Sequence, residues 1–511
     1  MVETIPIAGA ALIRCAPVRL SEQSRAVRRA RRAVPVEGGG RPSAARAGFV
    51  RAHGALASVS GGPALSCSDE SKARTTLPAV QLGPGRGSRG LTPLRRWDLT
   101  GIIGTGQSLS VGQSASELAG TAPAFDNLKL ALGAAAAPPF DAEHHELSLV
   151  PLVEPIRPLA STYPSAYPDN IYGETPHHAL ASQISALVNA AYGQRYATVH
   201  SVVGENGQGM RMLRKGAPES VNGRASTGRA YAATLFEVSA IGRLAAAQGK
   251  TYGVGAIFLT HGETDADNPE YEAELVQLWR DYNADLCVIT GQSASIPLFV
   301  SQQHGFDFAP GEVRGASRST LAQWRVGVFN PQDIVCTGPK YQYPYAPDNF
   351  HLSTRGYQLL GEKYGQVYFE HVVRGRAFAP LQPASVSAKG RELTVRFQVP
   401  VPPLAWDEEL PPPHQSALRE WRAGRGFELS VNDTPLAIDA VEIVDADTVR
   451  IIASEPVPAG AVLGYAVTSD GIVLPNLSRR WGLLRDSDPF VGAVTGAAQP
   501  NYAVAFEWSL P

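Results

Sequence analysis

Up to about residue 95 the chain shows no sustained apolar periodicity; Ala, Arg, Gly, Ser and Pro dominate it. Such a segment buries too little surface to offset the entropy of ordering it, so residues 1–95 are expected to form a disordered basic tail. From Trp97 the pattern changes. Apolar runs at residues 99–103, 199–203, 254–259, 296–300 and 334–336 are short and read as buried strands. Between them, residues 177–191, 230–247, 270–282 and 319–328 repeat apolar positions at helical spacing. A last amphipathic helix is expected over about 354–373, capped by Ser353 or Thr354. Strands alternating with helices predict a parallel sheet covered on both faces, a three-layer α/β/α domain over residues 96–376.

Beyond Arg374 the period shortens. Residues 392–399, 427–431, 448–452 and 464–468 alternate or cluster β-branched side chains. Residues 377–511 are therefore expected to form a β-sandwich-like accessory module, with the proline-rich stretch 401–415 as an exposed insertion.

Composition narrows the functional classes. A formal net charge of −2 over 511 residues gives no electrostatic reason to expect a nucleic-acid partner. Cys15, Cys67, Cys287 and Cys336 lack metal-ribbon spacing and do not suggest a disulfide framework. No run of about eighteen apolar residues exists, so no spanning helix and no membrane partner are expected. Arg28-Arg29 and Arg31-Arg32 look twin-arginine-like, but no apolar stretch follows them, so the compartment stays open.

The chemistry-bearing residues cluster at predicted strand ends. The first strand runs into Gly104-Thr-Gly-Gln-Ser108. In open parallel sheets, ligands and nucleophiles gather beyond the carboxyl ends of the strands. Gly-Gln-Ser recurs at 112–114 and 291–293. Ser114 is expected inside the following helix. Ser293 remains a rival, since it follows a candidate strand at 287–289. Asp348-Asn-Phe-His351 precedes the last helix. A serine hydroxyl needs a base, imidazole has the right pKa, and a carboxylate three residues earlier can fix its tautomer. Two further turns, Gly204-Glu-Asn-Gly207 and His261-Gly-Glu263-Thr-Asp265, follow the second and third predicted strands. Backbone N–H groups there could stabilise an oxyanion.

Other readings of these residues compete. His261, Glu263, Asp265 and Asp267 alternate as metal ligands might be spaced, yet Asp265 also suits a cap on the helix before Pro269; no metal and no cofactor are expected. Tyr341, Tyr343 and Tyr345 lead into the Asp348 loop, where a sugar platform and core packing are both open readings.

Taken in order, these four motifs resemble the SGNH hydrolases, within them the sialate O-acetylesterase and acetylxylan-esterase branch. The resemblance covers about residues 97–373 and implies deacetylation of carbohydrates without a metal. It implies Ser108 as nucleophile, His351 as base and Asp348 as its orienter. Ser108, Gly207, Gly204, Asn206 and His261 would form the oxyanion hole, and Gln107, Glu263, Tyr343 and Tyr345 would contact an acylated glycan. It also implies an extracellular or periplasmic setting. His261 departs from the pattern, because that branch usually carries glutamine there. The alternatives are a lipase-like or thioester hydrolase with the same triad, or a non-catalytic carbohydrate-binding protein on a hydrolase scaffold. Oligomeric state is not legible.

Overall fold

The computed structural model describes residues 97–305 and 317–511, apart from residues 224 and 472. The expected tail, residues 1–95, lies outside the described residues. The described chain opens with β1 (Leu99–Gly106), β2 (Leu128–Ala131), β3 (Ser148–Pro151) and α1 (His177–Tyr192). It continues with β4 (Thr198–Gly204), the short α2 (Met210–Leu213), the hairpin β5 (Ser220–Asn222) and β6 (Ala225–Thr227), and α3 (Ala230–Ala247). Next come β7 (Tyr252–Thr260), α4 (Tyr271–Thr290), β8 (Leu298–Gln302), α5 (Arg318–Phe329), β9 (Ile334–Pro339) and α6 (Thr354–Tyr368).

Seven strands form one sheet in the order β3-β2-β4-β1-β7-β8-β9, parallel except for the edge strand β3. Every residue of β1 is buried, as a central strand between two helical layers requires. Side-chain alternation splits its contacts. Ile102 packs with residues of α1 and α6, whereas Ile103 joins those of α3, α4 and α5. This is the three-layer α/β/α arrangement the pattern predicted. The Ser353 side chain caps α6 by accepting from the Gly356 N–H. A π-helical turn, Phe369–Val373, finishes it.

Three expectations change. The candidate strand at 287–289 is the end of α4, so Ser293 lies in the loop that enters β8, at the amino edge of the sheet. Ser114 is not helical but sits in a turn with φ +68°. Residues 401–415 are not simply an exposed insertion. Leu404, Asp407 and His414 are buried, and β12 (Ala405–Trp406) pairs with β18 (Leu484–Arg485).

The β-rich part contains two four-stranded antiparallel sheets. One orders β10 (Gln382–Lys389), β11 (Glu392–Gln398), β16 (Thr448–Ala453) and β15 (Ile438–Asp445) as β10-β11-β16-β15. The other orders β14 (Thr434–Pro435), β13 (Phe427–Val431), β17 (Val462–Tyr465) and β19 (Phe506–Ser509) as β14-β13-β17-β19. Phe397 of the first meets Phe427 and Phe506 of the second edge to face, as in a sandwich. The α/β and β-rich parts belong to one compact unit. No helix among the described residues is long and apolar enough to cross a membrane.

Candidate active site

The carboxyl edge of the sheet gathers the turns that follow β1, β4 and β7. Gly106 leaves β1 with φ +136°, and a Cβ there would lie 2.1 Å from the Thr260 carbonyl oxygen. Only glycine permits that approach. The Gln107 N–H donates to Thr260 O at 3.2 Å, and its side-chain oxygen accepts from the Thr264 N–H at 3.2 Å. The β1 and β7 turns are thereby joined. Ser108 follows as the first residue of a 3₁₀ turn, Ser108–Ser110, so its N–H has no acceptor within that turn. It is 3% exposed, and its hydroxyl makes no hydrogen bond among the described residues.

Asp348 and His351 form a tight local pair. His351 Nδ1 donates to Asp348 Oδ2 at 2.8 Å, while Asp348 Oδ1 accepts from the N–H groups of Phe350 and His351, each at 2.9 Å. Half-burial pushes the Asp348 carboxyl up, but these bonds, with one from Ser114, together hold it well below the usual carboxylate range. With Nδ1 donating, neutral His351 keeps its lone pair on Nε2.

Ser114, dismissed from the sequence, reaches this pair. Its hydroxyl donates to Asp348 Oδ2 at 2.8 Å and lies 3.4 Å from His351 Nδ1. It therefore stands on the carboxylate side of the ring, not on the side of the basic nitrogen. Its neighbour Gln113 accepts a 2.8 Å hydrogen bond from Asn206 Nδ2. Gly207 follows in an exposed turn with φ +71°. Gly204 is buried at the end of β4, where a Cβ would lie 2.1 Å from Ser110 Oγ.

No protein-family model matches the chain, and no curated protein does. Among solved structures it is similar to XAC1771, described as a novel carbohydrate acetylesterase from Xanthomonas citri. The identity is 12%, 80% of each chain is covered and the TM-score is 0.50. The chain shares its fold with that protein. NanS is 13% identical over 56% of this chain and 100% of its own, with a TM-score of 0.35. Est24, a carbohydrate acetylesterase from Sinorhizobium meliloti, is 10% identical over 53% and 96%, with a TM-score of 0.27.

Several side-chain expectations need correction. His261 is fully buried and both ring nitrogens are engaged. Nε2 meets the Gln208 carbonyl at 3.0 Å, so it must carry the proton, and Nδ1 accepts from the Tyr271 hydroxyl at 3.0 Å. Burial holds its pKa below the ordinary histidine range, against the pull of Asp265 and Glu263. His261 is a neutral strut under the turn and has no N–H left for an oxyanion. Tyr343 and Tyr345 are buried in the core layer with Tyr357 and Tyr364, and so offer no platform to a sugar. Gln107 is buried and spent on the β1–β7 connection. Glu263 pairs with the fully buried Lys340 at 3.0 Å, a partner the sequence did not reveal. Asp265 caps α2, accepting from Met210 N at 2.7 Å, rather than α4. Among the described residues no group of three or more His, Cys, Asp or Glu could hold a metal ion.

Proposed function

We propose that the protein is a serine esterase that removes short acyl groups, acetyl foremost, from a carbohydrate. The observation that carries this reading is the His351–Asp348 pair, joined at 2.8 Å, on a loop that belongs to the same fold edge as the Ser108 turn. The glycan and the acetyl group rest on analogy with the carbohydrate acetylesterase XAC1771.

In this reading the Ser108 hydroxyl attacks the ester carbonyl as His351 Nε2 takes its proton. Asp348 keeps the Nδ1–H oriented and stabilises the imidazolium. The carbonyl oxygen becomes an oxyanion held by the N–H groups of Ser108 and Gly207, with the side-chain amide of Asn206 beside them. The alkoxide leaving group takes the proton back from His351 and departs as the sugar alcohol. Water, deprotonated by His351, then attacks the acyl-serine, releasing acetate and regenerating Ser108. Each oxyanion donor contributes about 10²–10³ in rate.

Turnover of nitrophenyl acetate, release of acetate from acetylated polysaccharides, and mapping of a fluorophosphonate-labelled peptide test the assignment together. Ser108→Ala should abolish turnover and labelling. A label on Ser114 or Ser293, or an active Ser108→Ala variant, would overturn the placement of the nucleophile.

A further inference from the structure

The loop that carries Asp348 and His351 is closed locally. Ala346 N donates to His351 O at 2.8 Å, Asn349 N donates to Ala346 O at 3.0 Å, and Tyr345 bridges to Leu352. Those bonds fix the loop's shape but not its position over the sheet. Position comes from elsewhere. Asn349 Nδ2 donates to two main-chain carbonyls of the β-rich part, Leu474 O at 2.6 Å and Leu477 O at 2.7 Å. Both amide hydrogens are used, and Asn349 is only 4% exposed. Beside it the Tyr345 N–H donates to Asn476 O at 2.9 Å. The Arg479 guanidinium lies 4.9 Å from the centre of the Phe350 ring, and the Arg479 N–H donates to His304 O at 3.3 Å. Residues 474–479 thus grip the loop at 345, 349 and 350.

Asn349 also holds φ +58°, a conformation that asparagine tolerates better than most residues. Placed between Asp348 and the histidine, it turns the chain back so that Asp348 can receive the N–H groups of Phe350 and His351. Its backbone shapes the pair while its side chain ties that pair to the β-rich part.

We propose that Asn349 is a positioning residue for catalysis, through which the β-rich part sets where the Asp348–His351 pair stands relative to the nucleophile. This rests on the esterase reading above. The β-rich part is then a component of the catalytic apparatus, not a sugar-binding appendage. Because Asp348 and His351 share one closed loop, a loss of the anchor moves them as a unit. Their mutual contact stays as it is.

Two substitutions separate the anchor from the backbone conformation. Asn349→Gly keeps the left-handed turn and removes both side-chain bonds; Asn349→Ala removes the bonds and disfavours the turn. Rates are measured with nitrophenyl acetate on the full chain, per site titrated with fluorophosphonate, so that unfolded molecules do not count. Asn349→Gly should lower kcat by about 10–100-fold, the scale of a displacement near 1 Å, with KM within about twofold and the acid limb of the kcat profile unmoved. Wild-type kcat per titrated site in Asn349→Gly overturns the proposal, because backbone conformation alone would then suffice. A lower kcat with a shifted acid limb also overturns it, since the pair itself would have come apart. A wild-type chain that neither labels at Ser108 nor hydrolyses any ester overturns the esterase reading, and this inference with it.

Discussion

At the scale of single residues, three serines share one tripeptide context and the fold gives them different fates. Ser293 enters β8 from the amino edge, and Ser108 leaves β1 at the carboxyl edge. Ser114 bonds the carboxylate of the Asp348–His351 pair. Removing the Ser114 hydroxyl takes one donor from Asp348, which still accepts from His351 Nδ1 and from two backbone N–H groups. A bond to a charged group contributes about 1.5–3 kcal/mol, so Ser114→Ala should lower kcat by about tenfold at the low end of that range. Ser108→Ala, by contrast, should leave nothing measurable. Steady-state rates of the two variants side by side decide it; loss of all turnover in Ser114→Ala would mean that its role is more than support. The Asp348–His351 pair was legible in the sequence because its members stand only three positions apart. The burial of His261 was not, because its partners Gln208 and Tyr271 lie 53 and 10 residues away and only the folded turn unites them. Ser114 was misread for a related reason: its place beyond the end of the first strand suggested the following helix, and nothing local disclosed its left-handed turn.

At the scale of elements, the helices and central strands were legible because their apolar period is sustained. Residues 230–247 appear as α3 with the expected bounds. The edge strand β3 and its neighbour β2 were missed. Each has four residues, only partly buried, and their pairing comes from β4 and from each other. One junction between elements carries a measurable consequence. Glu205, in the turn after β4, accepts from Arg229 N at 2.8 Å and Ala230 N at 3.2 Å through a single carboxyl oxygen, and so caps α3 from a distance. Burial pushes its pKa up to about 7, despite these N–H bonds. Glu154, buried beside Glu174, is raised to about 8. Between the ordinary value of 4.5 and these raised values, the folded chain holds protons that the unfolded chain has lost. Stability should therefore fall as pH rises through this window. Glu205→Gln keeps an oxygen for both N–H groups and removes one of the titrations. Its contribution is of the order of 3 kcal/mol across the window, a few degrees in Tm. Melting curves at pH 5 and pH 8 should show a smaller drop for Glu205→Gln than for the wild type. Equal drops would mean that Glu205 is not protonated in the folded protein.

At the scale of the whole molecule, the sequence reading divides the chain at residue 376, while the last helical turn ends at Val373 and β10 begins at Gln382. What periodicity could not disclose is how far the two parts depend on each other, because the contacts join residues more than a hundred positions apart. Gln302 at the end of β8 exchanges two hydrogen bonds with Ala505, at 2.8 and 2.9 Å. The Tyr341 hydroxyl donates to Ala503 O at 2.7 Å. Glu362 on α6 is fully buried, and the bonds that satisfy its carboxylate come from residues 494–499. They are the N–H groups of Val494 at 2.7 Å and Thr495 at 2.6 Å, the Thr495 hydroxyl at 2.5 Å and Gln499 Nε2 at 2.6 Å. Ending the chain at 376 would strip that carboxylate of these partners and remove the bonds that Gln302 and Tyr341 make to Ala505 and Ala503 as well. Each neutral hydrogen bond lost takes away about 0.5–1.5 kcal/mol net and each to the Glu362 carboxylate about 1.5–3, and apolar side chains that pack across the junction, Trp324 against Phe506 among them, are uncovered as well. Those losses together approach the 5–15 kcal/mol that holds a typical domain folded. A chain spanning residues 97–376 should therefore show no cooperative thermal transition, whereas residues 97–511 should melt in one. Calorimetry and circular dichroism on the two chains measure this directly. A cooperative melt and esterase turnover from the shorter chain would show that the α/β part stands alone, and that the bonds to residues 494–505 are ornaments of the fold instead of conditions for it.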